Sequence, residues 1–286
     1  MTSLSHCFAP RDWQLAHGRS LELGPKAVLM GVLNVTPDSF SDGGVHFDPS
    51  VALKRARQMI ERGAAIIDVG GESTKPNAEP VNAATEQDRV LPIVEALAKS
   101  KDTIISIDTY RADTARLAVK AGAHIVNDVW GCQREPDIAR VAADTGAGLV
   151  IMNTRRDREV LSDLLEDAAQ FLRKSLEIAK AAAVRPEQIL LDPGFGFAPS
   201  IDHDIPILRE LERLHELGFP LLVGTSRKRF LGAITGREAD QRGAATAATS
   251  VVARQKGAAI FRVHDIEVNK DALAVADAVI DPENAP

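Results

Sequence analysis

The sequence predicts a single-domain α/β protein, a (β/α)8 TIM barrel, from two features of its apolar pattern. Short apolar runs recur along the whole chain, and segments with helical periodicity separate them. Most runs are continuous rather than alternating, which is typical of parallel strands buried on both faces. Eight such strands, spaced by ~25–40 residues, match the βα units of a barrel of ordinary size. A doubly wound open sheet is the alternative, but the G-x-G-x-x-G turn that usually follows its first strand is absent.

Each predicted strand is a short run rich in Val, Ile and Leu. The first is KAVLMGVLN and the last is AAIFRVH. Such runs favour a pleated, buried conformation. The eight predicted strands end at Asn34, Gly70, Asp108, Asp128, Met152, Asp192, Gly224 and His264.

The segments between the strands carry helix signals of their own. Pro49 to Glu61 is predicted as a helix with Asp48 as its N-cap, ending before Gly63. A longer helix is predicted from Ser162 until shortly before Pro186. The apolar faces of the later helices consist of Leu164, Ala168, Phe171, Leu172 and Ile178, then Ile207, Leu211 and Leu214, then Leu273, Ala276 and Ile280.

Residues 1–25 are predicted as an N-terminal extension that covers the barrel bottom, and residues 26–286 as the barrel domain. Lys and Arg do not cluster, and no apolar run approaches the ~18 residues of a membrane span, so neither nucleic acid nor membrane binding is predicted. The first residues lack a signal-peptide pattern, so a cytoplasmic location is expected. Neither Cys7 nor Cys132 belongs to a disulfide or zinc pattern, and Cys132 is interpreted as a loop or core thiol.

Polar side chains gather where the predicted strands end, whereas the strand interiors are almost wholly apolar. In a barrel these ends meet at one mouth, where the chemistry of such enzymes takes place. So many polar groups at one mouth predict an active site. The candidates are Asn34, Asp68, Asp108, Asn127, Asp128, Met152, Asn153, Asp192, Ser226, Lys228, Arg262 and His264.

One group of these candidates suits a flat heterocycle. Asp108, Asn127 and Asp192 offer carboxylate and amide oxygens, which match the row of N–H donors on an aminopyrimidinone ring. Lys228 can hold the carbonyl oxygen of such a ring. The combination predicts a cradle that recognises a ring by its donor edge.

A second group suits an anion. Arg262 and His264 alternate with Val263, so both point to the same side of the last strand. Arg262 is a bidentate phosphate donor by its geometry. Asn34 offers an oxygen ligand suited to Mg²⁺, a metal that keeps several waters and relies on substrate phosphates. The helix that begins within GTSRKRFLG is predicted to attract a phosphate or a carboxylate.

Several candidates have equally ordinary structural interpretations. Asp68 is as readily an internal hydrogen-bond acceptor as a ligand, and Asp108 could cap the helix that follows it. A structural role is favoured for Asp128, and a turn role is the default for Asn34. An isolated His264 is more often a satisfied polar residue than a catalyst.

Several motifs together resemble the dihydropteroate synthase family, and they keep its order along essentially the whole chain. The resemblance implies an enzyme of folate synthesis that condenses 6-hydroxymethyl-7,8-dihydropterin diphosphate with p-aminobenzoate and releases pyrophosphate. It also implies Mg²⁺ as the cofactor, a homodimer, and a target of sulfonamides. The motifs are NVTPDSFSDGG (34–44), DVGGEST (68–74), LLDPGFGF (190–197), VGTSRK (223–228) and FRVHD (261–265).

The resemblance also assigns roles to residues of this chain. The pterin-binding positions are Asp108, Asn127, Met152, Asp192 and Lys228. The diphosphate-binding positions are Asn34, Thr74, Arg262 and His264, with the metal at Asn34. The p-aminobenzoate positions are Phe40, Thr74, Pro76, Phe195 and Ser226. The catalytic positions are Asp108, Lys228, Asp38, Asp42 and Arg262, and Ser73 belongs to a loop that closes over the substrates.

The chain departs from the family pattern at three positions. Lys75 stands where many members have Arg, Asn153 where many have His, and Arg229 where Ser is common. Lys75 keeps the charge but loses the fork of the guanidinium. These departures concern substrate affinity rather than the class of reaction.

Two other functions remain open at this point. A pterin-binding methyltransferase domain shares the barrel and the Asp–Asn–Asp cradle, but it does not need a diphosphate pair such as Arg262 and His264. A non-catalytic relative would bind without turnover. If Arg262 holds the diphosphate, Arg262→Ala should sharply weaken binding of pterin diphosphate and of free pyrophosphate. It should leave the binding of unphosphorylated pterin nearly intact.

Overall fold

In a computed structural model, the protein forms a closed barrel of parallel strands. The structure describes residues 4–36, 49–72, 81–100, 102–198 and 200–281. The barrel strands are β3 (Val28–Asn34), β4 (Ile66–Gly70), β5 (Ile104–Asp108), β6 (Ile125–Asp128), β7 (Gly148–Met152), β8 (Ile189–Asp192), β9 (Leu222–Val223) and β10 (Ile260–Val263). These eight parallel strands form one sheet with the order β8-β7-β6-β5-β4-β3-β10-β9. The predicted barrel is therefore confirmed.

The sheet closes between its two outer strands. A single parallel bridge pairs Leu191 with Leu221, and the backbone N–H of Leu191 donates to the carbonyl of Pro220 at 3.0 Å. The strand predicted to end at Gly224 is shorter than expected, because only Leu222 and Val223 pair regularly with β10. The seam of the barrel thus lies beside the segment that carries Ser226 and Lys228.

Helices follow each strand and cover the barrel from outside. The helix predicted over 49–61 has those bounds, and the helix predicted from Ser162 begins after Asp163, which caps it. One predicted helix is interrupted, because the backbone leaves the helical conformation at Glu210. The helices are α1 (Ser5–Phe8), α2 (Pro49–Glu61), α3 (Ala83–Leu97), α4 (Ala112–Ala121), α5 (Asp137–Thr145), α6 (Leu164–Ala181), α7 (Asp204–Arg209), α8 (Arg229–Thr235), α9 (Gly243–Gln255) and α10 (Ile266–Ile280), and short 3₁₀ turns cover Ala16–Gly18, Pro186–Gln188, Ile201–His203, Leu211–Leu217 and Ala239–Gln241.

The N-terminal residues pack against the bottom of the barrel. An antiparallel hairpin of β1 (Arg11–Gln14) and β2 (Ser20–Leu23) buries Trp13, whose indole N–H donates to the carbonyl of Gln188 at 2.7 Å. Trp13 belongs to one apolar cluster with inward-facing side chains of the barrel strands, among them Ile66. This hairpin therefore seals the end of the barrel that is opposite to the polar strand ends.

The inside of the barrel changes character along the strands. Near the bottom it is filled by apolar side chains such as Ile66, Ile104 and Ile125. Because successive side chains alternate in direction, the next inward residues on the same strands are Asp68, Ser106 and Asn127, all of them buried. Burial of the apolar layer stabilises the barrel, and the polar layer above it lies next to the candidate site.

Within the described residues, no helix combines the length and apolar character that a membrane span requires.

Candidate active site

A cavity opens at the carboxyl ends of the strands, as expected for a barrel enzyme. Its volume is about 370 Å³. It brings together five of the residues predicted from the sequence, which come from β3, from β10 and the residue after it, and from the segment after β9. Those five are Asn34, Ser226, Lys228, Arg262 and His264, and the remaining lining residues are Val32, Arg55, Met59, Gly196, Gly224, Arg227, Arg229 and Ala239.

Arg262 lies between two carboxylates at the centre of this mouth. Its Nε donates to Oδ2 of Asp68 at 2.6 Å, and a terminal nitrogen donates to Oδ2 of Asp108 at 2.7 Å. Burial alone would lower the pKa of Arg262, but Asp68 and Asp108 raise it above its usual value. The helix-capping interpretation of Asp108 is wrong, because Arg111 occupies the N-cap position of α4. Asp108 instead pairs with Arg262, which lines the cavity.

The carboxylates of the cradle are held away from water. Burial raises the pKa of the Asp108 carboxyl to about 7, although the Arg262 cation opposes this shift. Burial also raises the pKa of Asp192 to about 6, against the effect of the backbone N–H of Gly194. Burial lowers the pKa of Lys228 to about 8, and the nearby Arg262 cation adds to that effect. A ligand that supplies hydrogen-bond donors would stabilise the charged forms of the two carboxyl groups.

An apolar wall adjoins these charges. Val129, Met152 and Phe197 form a small separate cluster, which agrees with an apolar contact for Met152. Phe197 also faces two cations, with Nζ of Lys228 4.1 Å and the guanidinium carbon of Arg156 4.6 Å from its ring centroid. A flat ring can pack on the apolar side chains while its edge meets the polar groups.

The turn after β8 explains how Phe197 reaches this position. Gly194 has φ +78°, and a Cβ there would overlap the carbonyl oxygen of Asn153. Gly196 has φ +75°, and a Cβ there would lie 2.5 Å from Cδ of Lys228. Only glycine therefore allows the chain to turn this closely over the site.

The structure corrects the prediction of Phe195 as the aromatic side chain of this turn that contacts a substrate. The ring of Phe195 is buried in the main core and packs against Phe230, with 6.5 Å between centroids. It therefore does not adjoin the charged groups, and Phe197, two residues further, does. The sequence offered both aromatics in LDPGFGF, but an irregular turn has no periodicity that distinguishes them.

Ser226 and His264 form a hydrogen-bonded pair that lines the cavity. Ser226 Oγ accepts the backbone N–H of His264 at 3.2 Å and lies 2.9 Å from Nδ1 of the ring. Burial lowers the pKa of His264 to about 3, and nearby arginine side chains contribute, so the ring is neutral. If the hydroxyl donates to Nδ1, the ring proton is on Nε2. A neutral imidazole of this kind is a hydrogen-bond donor for an anion.

Two further candidates have structural contacts. Asp128 accepts the backbone N–H groups of Trp130 at 2.8 Å and Cys132 at 2.6 Å, so the structural interpretation agrees with its position. Cys132 is fully buried in the core. Asn153, one of the departures, donates to the carbonyl of Pro193 and accepts from Arg158, which ties two loops together.

Several predicted residues lie outside the described part of the chain. The structure does not describe the two loops to which the resemblance assigned substrate contacts. These residues are Asp38, Phe40, Asp42, Ser73, Thr74, Lys75 and Pro76.

Asn34 is the described residue to which the resemblance assigns a magnesium ion, and its amide oxygen is a possible ligand. Its side chain lines the cavity with Arg262 and His264. Among the described residues, no group of three His, Cys, Asp or Glu side chains could hold a metal. This donor set fits Mg²⁺ bound mainly through substrate phosphates and water, as this metal commonly is.

The cavity, the buried acceptors beside it and its central arginine are features of a barrel enzyme whose mouth suits a flat ring and an anion. The sequence matches the family of pterin binding enzymes over residues 30–264. It is 42% identical over 263 residues to the dihydropteroate synthase of Clostridium beijerinckii, covering 92% of this chain and 97% of that protein. It is 43% identical over 287 residues to the dihydropteroate synthase of Synechocystis, covering 98% of both.

Solved structures show the same relationship. The dihydropteroate synthase of Xanthomonas albilineans with 4-aminobenzoic acid has a TM-score of 0.88 at 38% identity, over 94% of this chain and 99% of that one. The complex of that enzyme with 7,8-dihydropteroate has a TM-score of 0.85 at 37% identity, over the same shares. The chain belongs to the dihydropteroate synthase family and is a transferase.

Proposed function

We propose that the protein joins 6-hydroxymethyl-7,8-dihydropterin diphosphate to p-aminobenzoate, giving 7,8-dihydropteroate and pyrophosphate. The observation that carries this proposal is Arg262, which is bonded to the cradle carboxylate Asp108 and also lines the open cavity. One side chain thus adjoins both the ring site and the anion site. A pterin-binding methyltransferase domain would need only the ring site.

The ring is held by its donor edge. Asp108, Asn127 and Asp192 present acceptors from three strand ends, and Lys228 meets the ring carbonyl. Met152, with Val129 and Phe197, supplies the apolar contact. A buried set of acceptors discriminates strongly against rings that lack the matching donors, because unpaired buried groups are costly.

The diphosphate lies towards Arg262, His264 and Asn34. The two bonds from Arg262 to carboxylates use Nε and one terminal nitrogen, so donors on the guanidinium remain for phosphate oxygens. Asn34 would hold Mg²⁺, which when bound neutralises charge on the departing diphosphate. Calorimetry of pyrophosphate binding with and without Mg²⁺ tests this assignment, since Asn34→Ala should abolish the enhancement by the metal. An equal enhancement in the variant would contradict it.

The chemistry needs no nucleophilic side chain. The C–O bond between the pterin methylene and the diphosphate breaks, and its electron pair leaves with the diphosphate. Positive charge then develops on the pterin, beside the carboxylates of Asp108 and Asp192, which stabilise it. The aniline nitrogen of p-aminobenzoate forms the new C–N bond and loses a proton to solvent.

The decisive experiment is an assay of pyrophosphate release. Wild-type protein should release pyrophosphate from the pterin diphosphate, and p-aminobenzoate should increase the rate and yield 7,8-dihydropteroate by mass spectrometry. Binding of the pterin without any turnover would support the non-catalytic alternative and contradict the proposal.

A homodimer is proposed on a separate observation. Val268, Val275 and Val279 share one face of α10, and the last two are 67% and 69% exposed. Burying this face against a second copy would remove apolar surface from water. Sedimentation should show a dimer. The double substitution Val275→Glu with Val279→Glu should dissociate it, whereas Leu117→Glu on α4 should leave it intact.

A cytoplasmic location also stays a proposal, and fractionation of expressing cells tests it.

A further inference from the structure

Asp68 is a fully buried carboxylate inside the barrel, one layer below the mouth. It lies on β4 and pairs in register with Ser106 of β5 and Val32 of β3. Its side chain has no exposure to solvent. A charge at such a position is expensive, and a well-packed apolar residue would often stabilise the barrel as much or more. Its presence therefore points to a task other than stability.

All hydrogen bonds of the Asp68 side chain that the structure describes go to side chains of two predicted ligand residues. Oδ2 accepts from Nε of Arg262 at 2.6 Å and from Nδ2 of Asn127 at 3.1 Å. Within the described residues, Oδ1 has no hydrogen-bond partner. Asp128 differs, because its carboxylate bonds to backbone N–H groups and shapes a turn.

These two bonds set the direction of the groups that Asp68 touches. A carboxylate that pairs with Arg262 accepts hydrogen bonds and donates none. The part of Asn127 that meets Asp68 must therefore be its amide nitrogen, which is the donor. The amide oxygen of Asn127 is then left for the donor edge of a ring. The bond to Nε likewise fixes the plane of the Arg262 guanidinium, whose donors are rigidly arranged.

We propose that Asp68 is a positioning residue that serves both halves of the substrate through a single oxygen atom. It orients Asn127 as an acceptor for the pterin ring, and it orients Arg262 for the diphosphate. The proposal rests on the proposed function of the site, and Asp68 itself touches no substrate.

The test uses Asp68→Asn in three backgrounds, with inorganic pyrophosphate and an unphosphorylated pterin as separate calorimetric probes. In the wild-type background both affinities should fall by about tenfold or more, as expected when a charged hydrogen-bond partner is removed. In an Arg262→Ala background the substitution should cause no further loss for pyrophosphate. In an Asn127→Ala background it should cause no further loss for the pterin.

Ser106→Ala is the matched control, because Ser106 lies in the same buried layer and pairs with Asp68 in register. It should change either affinity by no more than about twofold, which is the margin within which the effects of independent substitutions usually add. Additive losses in the Arg262→Ala and Asn127→Ala backgrounds would overturn the proposal, because they would mean that Asp68 acts on the fold in general.

A second arm leaves Asp68 in place, in case Asp68→Asn does not fold. Asn127→Asp turns a second acceptor toward Oδ2 of Asp68, so it should weaken pterin binding more than Asn127→Ala does. A milder effect of Asn127→Asp would overturn the proposal. Failure of the wild-type protein to bind either probe would instead contradict the proposed function.

Discussion

At the scale of single residues, Asp192 divides its two oxygens between the protein and the cavity. Oδ1 accepts the backbone N–H of Gly194 at 2.7 Å, and Oδ2 lies on the side of Gly224, which lines the cavity. Asp192→Asn should weaken pterin binding by ~1–3 kcal/mol, because a charged acceptor becomes an amide with a misplaced donor. Calorimetry with unphosphorylated pterin measures this. Unchanged affinity would remove Asp192 from the cradle, and Asp144→Asn on the surface of α5 is the control.

Arg262 requires a different expectation from the one that the sequence suggested. Because it is bonded to Asp68 and Asp108, its removal leaves two buried carboxylates without their cation. Arg262→Ala should therefore weaken pyrophosphate binding by ~1.5–3 kcal/mol and should also weaken unphosphorylated pterin, by a smaller factor. The measured quantity is the ratio of the two losses. A ratio near one in a folded variant would mean that Arg262 is not a diphosphate ligand.

At the scale of elements, the sequence predicted most strand ends because the strands of a covered parallel sheet are apolar on both faces. Asp108 and Asp192 end their strands as expected. The break at Glu210 and the choice between Phe195 and Phe197 were not predictable, because turns have no repeating pattern. The contact between Asp68 and Arg262 spans 194 residues of sequence, and a single sequence carries no signal for such a distance.

The turn after β8 gives a prediction at this scale. Gly194 combines a positive φ with a steric overlap, whereas Gly146, which follows α5, has φ +70° and open space where a Cβ would lie. Gly146→Ala should cost about 1 kcal/mol of unfolding free energy through backbone strain. Gly194→Ala should cost about 1–3 kcal/mol more, because its methyl group overlaps Asn153. Urea unfolding measures both, and equal costs would show that the turn relaxes freely.

At the scale of the whole molecule, the barrel separates the groups that stabilise it from those that bind. Its lower interior is apolar and sealed by Trp13, whereas its upper interior buries several charges. Burial of a carboxylate costs free energy that only pairing or a ligand recovers. Ionisation of buried carboxyl groups at high pH should therefore lower the free energy of unfolding of the ligand-free protein.

Asp108 makes this prediction measurable, because its pKa is about 7 in the folded protein, whereas the ordinary pKa of an aspartate, expected in the unfolded chain, is 3.8. The folded state thus binds this proton more tightly, so the contribution of Asp108 to stability is fully present below about pH 4. It is lost as the pH rises through 7. Asp108→Asn removes the titration and should stabilise the ligand-free protein relative to wild type by roughly 1–3 kcal/mol more at pH 8 than at pH 5. Urea unfolding of both proteins at the two pH values gives this difference directly. The surface variant Asp144→Asn should show no such change, and a difference for Asp108→Asn that is constant with pH would mean that its buried carboxyl does not titrate in this range.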